Sequence, residues 1–466
     1  MELNNIKSVY FVGIGGIGMS AIARYFLHIG VFVGGYDKTP SDLTRQLEKE
    51  GAQIHYEENV SLIPQECMNK ETTLIIYTPA VPTDHAEMKL FRSNGFELQK
   101  RAQVLGTLTR TLKGLCVAGT HGKTTTSSMA AHLLHQSHVG CNAFLGGITK
   151  NYGTNYLLNE TSPYVVIEAD EFDRSFHWLR PFASVITSTD ADHLDIYGTE
   201  EAYLESFRHY TNLVHPGGAL VVHTELKLRP NPQPGVTLYS YGREDGDFHA
   251  RNIKIGGGEI TFDLVSPLGN IDGIQLGVPV AINIENGIAA MALAQLSGVT
   301  AEEIRNGMAS FGGVDRRFDI RLKNDKFVYI SDYAHHPSEI RQSVMSIKQL
   351  YEGRRIRIIF QPHLYTRTRD FYREFAQALS LVNDVVLVDI YPAREAPIAG
   401  ITSELIADHM QRDVYVQLCK REGVMDMVRQ GGYDVLVTLG AGDIENYSSQ
   451  IVEELKAMSK KKNEIS

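Results

Sequence analysis

The run Val117-Ala118-Gly119-Thr120-His121-Gly122-Lys123-Thr124-Thr125-Thr126 holds the residues of this chain best suited to chemistry. An apolar stretch, Leu115 to Ala118, leads into it, and helical spacing (Met129, Leu133, Leu134) follows. Strand, glycine-rich turn and helix, in that order, set backbone N–H groups and a helix N-terminus against a bound phosphate. Lys123 can then reach the outer phosphates of a nucleoside triphosphate, and the Thr124 hydroxyl can hold Mg²⁺. Gly119, Thr120, His121, Gly122, Lys123, Thr124 and Thr125 form the candidate ATP cradle. The general phosphate-loop pattern asks for a glycine where Val117 stands, so the compressed form Gly-Thr-x-Gly-Lys-Thr-Thr is the narrower signal.

Acids follow at the spacing such a cradle needs. Tyr164 to Ile167 reads as a buried strand running into Glu168-Ala169-Asp170-Glu171. Ligands of α/β sheets gather at the carboxyl ends of strands, which sets Glu168 to share Mg²⁺ with Thr124. Another strand, Ser184 to Thr187, leads to Asp190-Ala191-Asp192-His193-Leu194-Asp195, and His193 is a candidate ligand for a second ion. No lysine lies between His193 and Lys227, so a carbamylated lysine bridging two metals is not available there. His132, His135 and His138 share a helical face and read as surface histidines.

A second glycine loop precedes all of this. Gly13-Ile14-Gly15-Gly16-Ile17-Gly18 follows the strand Ser8 to Val12, and Asp37 ends the next strand at a distance suited to a ribose contact. Alone, that fingerprint suggests a nicotinamide dehydrogenase. It certifies only a backbone able to approach a pyrophosphate, and hydride transfer has no use for Lys123, Thr124 and the acids. Two loops imply two phosphate-bearing ligands: a triphosphate at Lys123 and a diphosphate-containing molecule at Gly13 to Gly18.

The elements that must position these groups alternate strand and helix, which predicts an α/β fold with parallel sheets. Residues 108–114 read as a polar link, residues 225–275 as an antiparallel appendage, and the pattern resets near Phe311-Gly312-Gly313. Three domains follow: 1–107, Rossmann-like; 108–311, P-loop ATPase-like with a parallel sheet and the appendage; and 312–466, Rossmann-like again. The last has strands at Phe327–Ile330, Ile356–Phe360, Val385–Val388 and Val435–Leu439, and the tail from Lys460 to Glu464 reads as a frayed helix end. With 43% apolar and 21% charged residues the 466-residue chain has an ordinary globular composition. Its formal charge of −10 does not favour nucleic acid or an anionic membrane as partner. No apolar run reaches a membrane span, no secretory signal is visible, and the scattered Cys67, Cys116, Cys141 and Cys419 fit a reducing cytoplasm.

Taken in order, these motifs resemble the bacterial Mur ligases over nearly the whole chain, and among them the alanine-adding branch. The marks are Gly13 to Met19 and Ser20, Arg101-Ala102, Gly119 to Thr126, Glu168 to Glu171, Asp192 to Asp195, Asn283-Ile284-Glu285-Asn286, Arg316-Arg317-Phe318, Asp332 to Pro337, Gln361 to Arg369, and Gly440 to Ile444. The resemblance implies ATP-dependent amide synthesis with Mg²⁺, two ions when ATP is bound. The partners it implies are UDP-N-acetylmuramate and L-alanine, in a monomer or weak homodimer. The recycling ligase that attaches a murein tripeptide to the same nucleotide sugar is the alternative. Gly13, Gly15, Gly16, Ile17, Gly18, Met19, Ser20, Asp37 and Arg101 would then hold the UDP-sugar. Lys123, Glu168, His193 and Arg317 would serve catalysis, with Thr124, Glu168 and His193 on metal. Asn283 and Asn286 look like the adenine contacts, Asp332 like a ribose contact, and Arg317 like the arginine that closes onto the nucleotide. Tyr333, His335, His363 and Arg367 would receive the amino acid, Arg367 taking its carboxylate as a fork. The chain departs from the family at Ile282, where a histidine is usual, and at Leu364, where an arginine is frequent.

Overall fold

Val, Ile, Phe and Tyr runs, too apolar to leave in water and β-branched enough to prefer extended backbone, build the strands. The computed structural model describes residues 5–78, 81–82, 84–192, 194–256, 259–393 and 395–461. Strand Ser8–Val12 is buried at all five positions, as a parallel strand covered on both faces must be. It sits at the centre of a five-stranded sheet, flanked in parallel by Phe32–Tyr36 and Thr73–Tyr77, with Gln53–His55 and Glu97–Lys100 at the edges.

A seven-stranded sheet follows, in the order Thr237–Tyr241, Ala219–His223, Ala183–Ile186, Lys113–Ala118, Tyr164–Glu168, Asn142–Thr149, Thr154–Leu157. Only the last strand runs antiparallel to its neighbour. The Lys123 strand and the Glu168 strand are therefore adjacent, with Val117 opposite Glu168. These two sheets belong to one compact body, Met1–Asn252 with Phe262–Gln275 and Glu285–Phe311. One apolar cluster joins them: Val9 and Phe11 from the first, Ile22 from the helix Ile17–His28, and Phe144, Val165, Ile167 and Ile186 from the second.

The second compact body is Ile253–Thr261, Leu276–Ile284 and Gly312–Ser466. Its six-stranded sheet runs Asp319–Lys323, Val328–Asp332, Val435–Leu439, Ile356–Phe360, Asp384–Val388, Tyr415–Cys419, and the first strand alone is antiparallel. A three-stranded sheet comprises His249–Gly256, Glu259–Val265 and Ile271–Gln275.

Several local expectations are corrected. Residues 108–111 are no link; they end the helix Arg101–Thr111, whose Leu108 and Thr109 are buried. Within 225–275, Thr237–Tyr241 is not part of an antiparallel appendage but extends the seven-stranded sheet in parallel. The helix Ile282–Leu296 begins in polar sequence, with Asn283, Glu285 and Asn286 in its first turns. Of the tail, residues 462–466 lie outside the described residues; the helix Ser448–Lys461 precedes them.

Candidate active site

The phosphate loop forms as its glycines require. Gly119 (φ +136°) leaves the strand, and a Cβ there would fall 2.0 Å from Thr187 Oγ1. Gly122 (φ +78°) is the N-cap of the helix Lys123–His135 in a left-handed conformation that glycine adopts freely. The loop is pinned to the neighbouring strand end. Thr120 N donates to Ser188 O (3.1 Å), Thr120 Oγ1 to Asp190 O (2.7 Å), and His121 N to Ser188 Oγ (2.9 Å). His121 Nε2 stands 3.4 Å from Asp190 Oδ2. Thr124 is buried and Thr125 half-buried on the first turn of the helix.

Lys123 points inward. Its Nζ donates to Gly119 O (2.7 Å) and lies 2.9 and 2.6 Å from the two carboxylate oxygens of Glu171. Burial opposes its charge, but Glu171, Asp170 and Glu168 outweigh that and hold the ammonium above its usual value. Burial pushes the Glu171 carboxyl up to about 7 against the opposing pull of Lys123. Glu168 ends its strand and accepts from Gly146 N (3.2 Å). His193, the candidate ligand for a second ion, lies outside the described residues. Among the described residues, no group of three His, Cys, Asp or Glu side chains is arranged to hold a metal by itself.

The first glycine loop is held by its own acid. Gly15 N donates to Asp37 Oδ2 (2.7 Å), and Thr39 N to Asp37 Oδ1 (3.2 Å). Gly13 has φ +91°, and Gly16 caps the helix Ile17–His28, on which Met19 and Ser20 are buried. Gly18 leaves room for the Arg101 guanidinium, since a Cβ there would meet it at 2.8 Å. Arg101 reaches Asp170 (3.5 Å), and Lys100 pairs with Asp173 (2.6 Å). A cavity of about 310 Å³ results, lined on one side by Gly16 to Met19 and Arg101, and on the other by Gly146, Glu168 and Asp170. Five of the nine UDP-sugar candidates, Gly16, Ile17, Gly18, Met19 and Arg101, thus share one cavity with Glu168 and Asp170 within the first body.

The remaining candidates fall elsewhere. Asn286 Oδ1 accepts from Thr126 Oγ1 (3.2 Å), and a Cβ on Gly122 would meet that oxygen at 2.7 Å, so Asn286 abuts the phosphate loop. Asn283, one turn away on the same helix, donates to Val278 O (3.1 Å). In the second body, the guanidinium of Arg317 lies 4.9 Å from the Tyr333 ring centre, and that of Arg316 lies 4.6 Å from it. Asp332 ends its strand and accepts from Ala334 N (3.3 Å); burial raises its carboxyl above the usual range. His335 meets Tyr333 and His363 at ring distances of 5.1 and 6.1 Å, and burial lowers its imidazole to about 4. Arg367 is half-buried on the first turn of the helix Tyr365–Leu379, close enough to bear on the His335 charge. Tyr333, His335 and His363 are thereby brought together, with Arg367 beside them.

One reading is corrected and three residues were overlooked. His132 is no surface histidine: it is buried, with Tyr152 OH at 2.7 Å and Ser310 Oγ at 3.0 Å from its two ring nitrogens. His138 lies past the helix end and pairs with Glu303 (3.0 Å). Glu171 and Asp170 stood in the quoted motif without a role, although acids at a strand end were the signal. Gly146 carried no signal, because its use depends on a neighbouring strand.

Models of three Mur ligase parts match the chain: the catalytic domain of the Mur ligase family at residues 8–112, the middle domain at 117–294, and the glutamate ligase domain at 316–442. A Phocaeicola vulgatus protein named UDP-N-acetylmuramate–L-alanine ligase is 66% identical over 97% of this chain and 98% of its own. The chain belongs to the Mur ligase family. A Parabacteroides distasonis protein of the same name is 57% identical to this Mur ligase over 97% of the chain and 98% of its own. Among solved structures, the UDP-N-acetylmuramate–alanine ligase of Thermotoga maritima superposes with a TM-score of 0.80 at 28% identity, over 97% of this chain and 99% of that one. A murein peptide ligase from Psychrobacter arcticus shares the fold (TM-score 0.66, 19% identity, covering 96% and 98%).

Proposed function

We propose that this Mur ligase joins L-alanine to the carboxylate of UDP-N-acetylmuramate, driven by ATP, giving UDP-N-acetylmuramoyl-L-alanine, ADP and phosphate. The names of relatives 66% and 57% identical over nearly the whole chain support the reading. The observation that carries it is the single cavity lined by the first glycine loop and by Glu168 and Asp170 beside the phosphate loop. A sugar-borne carboxylate held by one loop would lie against the acids and cation that manage the phosphates of the other.

A carboxylate is a poor acyl donor because its leaving group would be oxide. Attack of its oxygen on the γ-phosphorus, with ADP leaving, gives an acyl phosphate. The alanine amine then attacks the acyl carbon, loses a proton, and expels phosphate. Bringing two anions together needs positive charge, which we assign to Lys123 and Arg317. Thr124 and Glu168 would hold Mg²⁺, with His193 for a second ion; oxygen donors in small number suit an ion that keeps phosphate oxygens and water. Three carboxylates bear on Lys123, so a cation at this place offsets a field that otherwise repels ATP. When bound, the ion neutralises phosphate charge and aligns the phosphoryl group.

The backbone of Gly119 to Thr125 would cradle the phosphates of ATP, with Asn283 and Asn286 at adenine and Asp332 at ribose. Gly13 to Ser20, Asp37 and Arg101 would hold the UDP-sugar. Tyr333, His335, His363 and Arg367 would receive alanine. We further propose domain boundaries near residues 107 and 311, a cytoplasmic setting, and a monomer or weak homodimer that needs neither nucleic acid nor membrane.

An amino-acid panel tests this. Phosphate release with Mg-ATP should require both UDP-N-acetylmuramate and an amino acid, with L-alanine giving the highest kcat/KM. Preference for the tripeptide L-alanyl-γ-D-glutamyl-meso-diaminopimelate would transfer the enzyme to the recycling reaction, and no release with any acceptor would refute ligation.

A further inference from the structure

Every proton of the Lys123 ammonium is already in use. An ammonium has three donors. Those of Lys123 face Gly119 O (2.7 Å), Thr120 O (3.4 Å) and the Glu171 carboxylate, whose oxygens lie 2.6 and 2.9 Å away. A phosphate cannot be added to that set; it must displace a member of it.

Glu171 is also the fixed partner of the pair. Its side chain is 1% exposed and cannot turn to water. Its backbone carbonyl accepts from Arg174 N (3.0 Å) and from Tyr197 OH (2.5 Å). Arg174 and Asp173 are both held at left-handed φ (55° and 52°), and the Arg174 guanidinium lies 4.7 Å from the Tyr197 ring centre. The turn therefore fixes the backbone that carries Glu171 and burial confines its carboxylate, while the lysine stem has four rotatable bonds with which to leave.

We propose that Glu171 is a positioning residue that parks Lys123 while the nucleotide site is empty, and that ATP binds by taking the lysine from it. This rests on the ligase reading only in that Lys123 serves the outer phosphates. Parking keeps the ammonium paired and next to its working position, at the cost of a weaker grip on ATP. The exchange swaps one anion for another, so the lysine never stands buried and alone.

The test is a double-mutant cycle read by Mg-ATP binding, with a fluorescent 2′/3′-O-substituted ATP as probe and no other substrate present. Glu171→Gln keeps the shape and removes the charge. In the parent background it should bind the probe about tenfold tighter, the difference between a charged and a neutral partner for one ammonium. The KM for ATP should fall in step, whatever becomes of kcat. In a Lys123→Ala background, Glu171→Gln should change affinity less than about twofold, because nothing is left to release. Glu171→Asp keeps the charge with a shorter reach and should fall between parent and Gln; it carries the same cycle if Glu171→Gln folds poorly. Unchanged or weaker binding by Glu171→Gln overturns the parking role. So does equal tightening in the Lys123→Ala background, which would mean simple repulsion between carboxylate and phosphates. A parent protein that binds no ATP at all would instead remove the ligase reading itself.

Discussion

Gly146→Ala separates the position of Glu168 from everything else about it. The backbone at Gly146 is not in the left-handed region, so alanine can adopt it without strain. The new methyl is the whole perturbation. Built there, it lies 2.3 Å from Glu168 Oε2 and 2.7 Å from Cδ, whereas ordinary contact begins near 3.4 Å, so the carboxylate must retreat by about 1 Å. It is the free end of a flexible side chain and can yield cheaply, giving up the hydrogen bond from Gly146 N (3.2 Å). Stability should therefore change little, with Tm within about 2 °C of the parent. Function should not be spared, because a 1 Å displacement of a group that aligns reactants costs about a hundredfold in rate. That is about 2.7 kcal/mol in the barrier. The assay is steady-state phosphate release at saturating substrates over a Mg²⁺ series. We expect kcat down about a hundredfold at low Mg²⁺, partly restored as Mg²⁺ rises, because the displaced ligand weakens the ion's site. A variant with Tm unchanged and kcat within threefold of the parent across the series would refute the assignment of Glu168 to the metal.

Three further outcomes follow from the same geometry. Lys123→Ala should lower kcat at least about a thousandfold while leaving UDP-N-acetylmuramate affinity within about threefold by calorimetry, since the two loops are distinct structures; comparable loss of both would remove the two-loop assignment. Arg367→Lys should raise the KM for alanine roughly thirtyfold, because an ammonium cannot reproduce the guanidinium fork, with the KM for ATP unmoved. Glu87 is a fully buried carboxyl on the helix Ala86–Ser93, bonded to Tyr10 OH of the first sheet (2.7 Å) and pushed up by burial from 4.5 to about 7. Between those values the unfolded chain has lost a proton that the folded chain keeps, so stability falls as pH rises through the window and levels off above it. Glu87→Gln should gain on the parent by up to about 3 kcal/mol from pH 5 to pH 8, read as a widening Tm difference; a gap that is flat with pH would show that Glu87 is ionised in the fold.

What the sequence made legible divides by range. Strands such as Ser8–Val12 and Val435–Leu439 were readable because burial on both faces leaves a continuous apolar run. The phosphate loop was readable because its glycines, lysine and hydroxyls are contiguous. The start of the helix at Ile282 was hard to read because its first turns are polar where Asn286 faces the loop, a demand of the site that overrides periodicity. Edge strands Asp319–Lys323 and Tyr415–Cys419, half-exposed and mixed in composition, gave no run to read. His132 was read as exposed because a histidine's burial depends on partners far away, here Ser310.

Glu168 shows why the rest of the site could not be read from one segment at a time. Its carboxylate lies where a side chain on Gly146 would be, two strands of the same sheet cooperating through the lack of an atom. Gly18 makes the same provision for Arg101, which comes from the helix after the first sheet and reaches Asp170, just past the Glu168 strand of the second. Glu168 and Arg101 are each seated against bare backbone contributed by a distant stretch of chain. Such seating fixes a charged group without enclosing it in other side chains, which leaves its far face open to a ligand. It follows that tolerance to alanine at these glycines measures the precision the chemistry needs. Loops that merely turn accept a methyl at a modest folding penalty, whereas Gly18 and Gly146 should accept it in stability and fail in turnover.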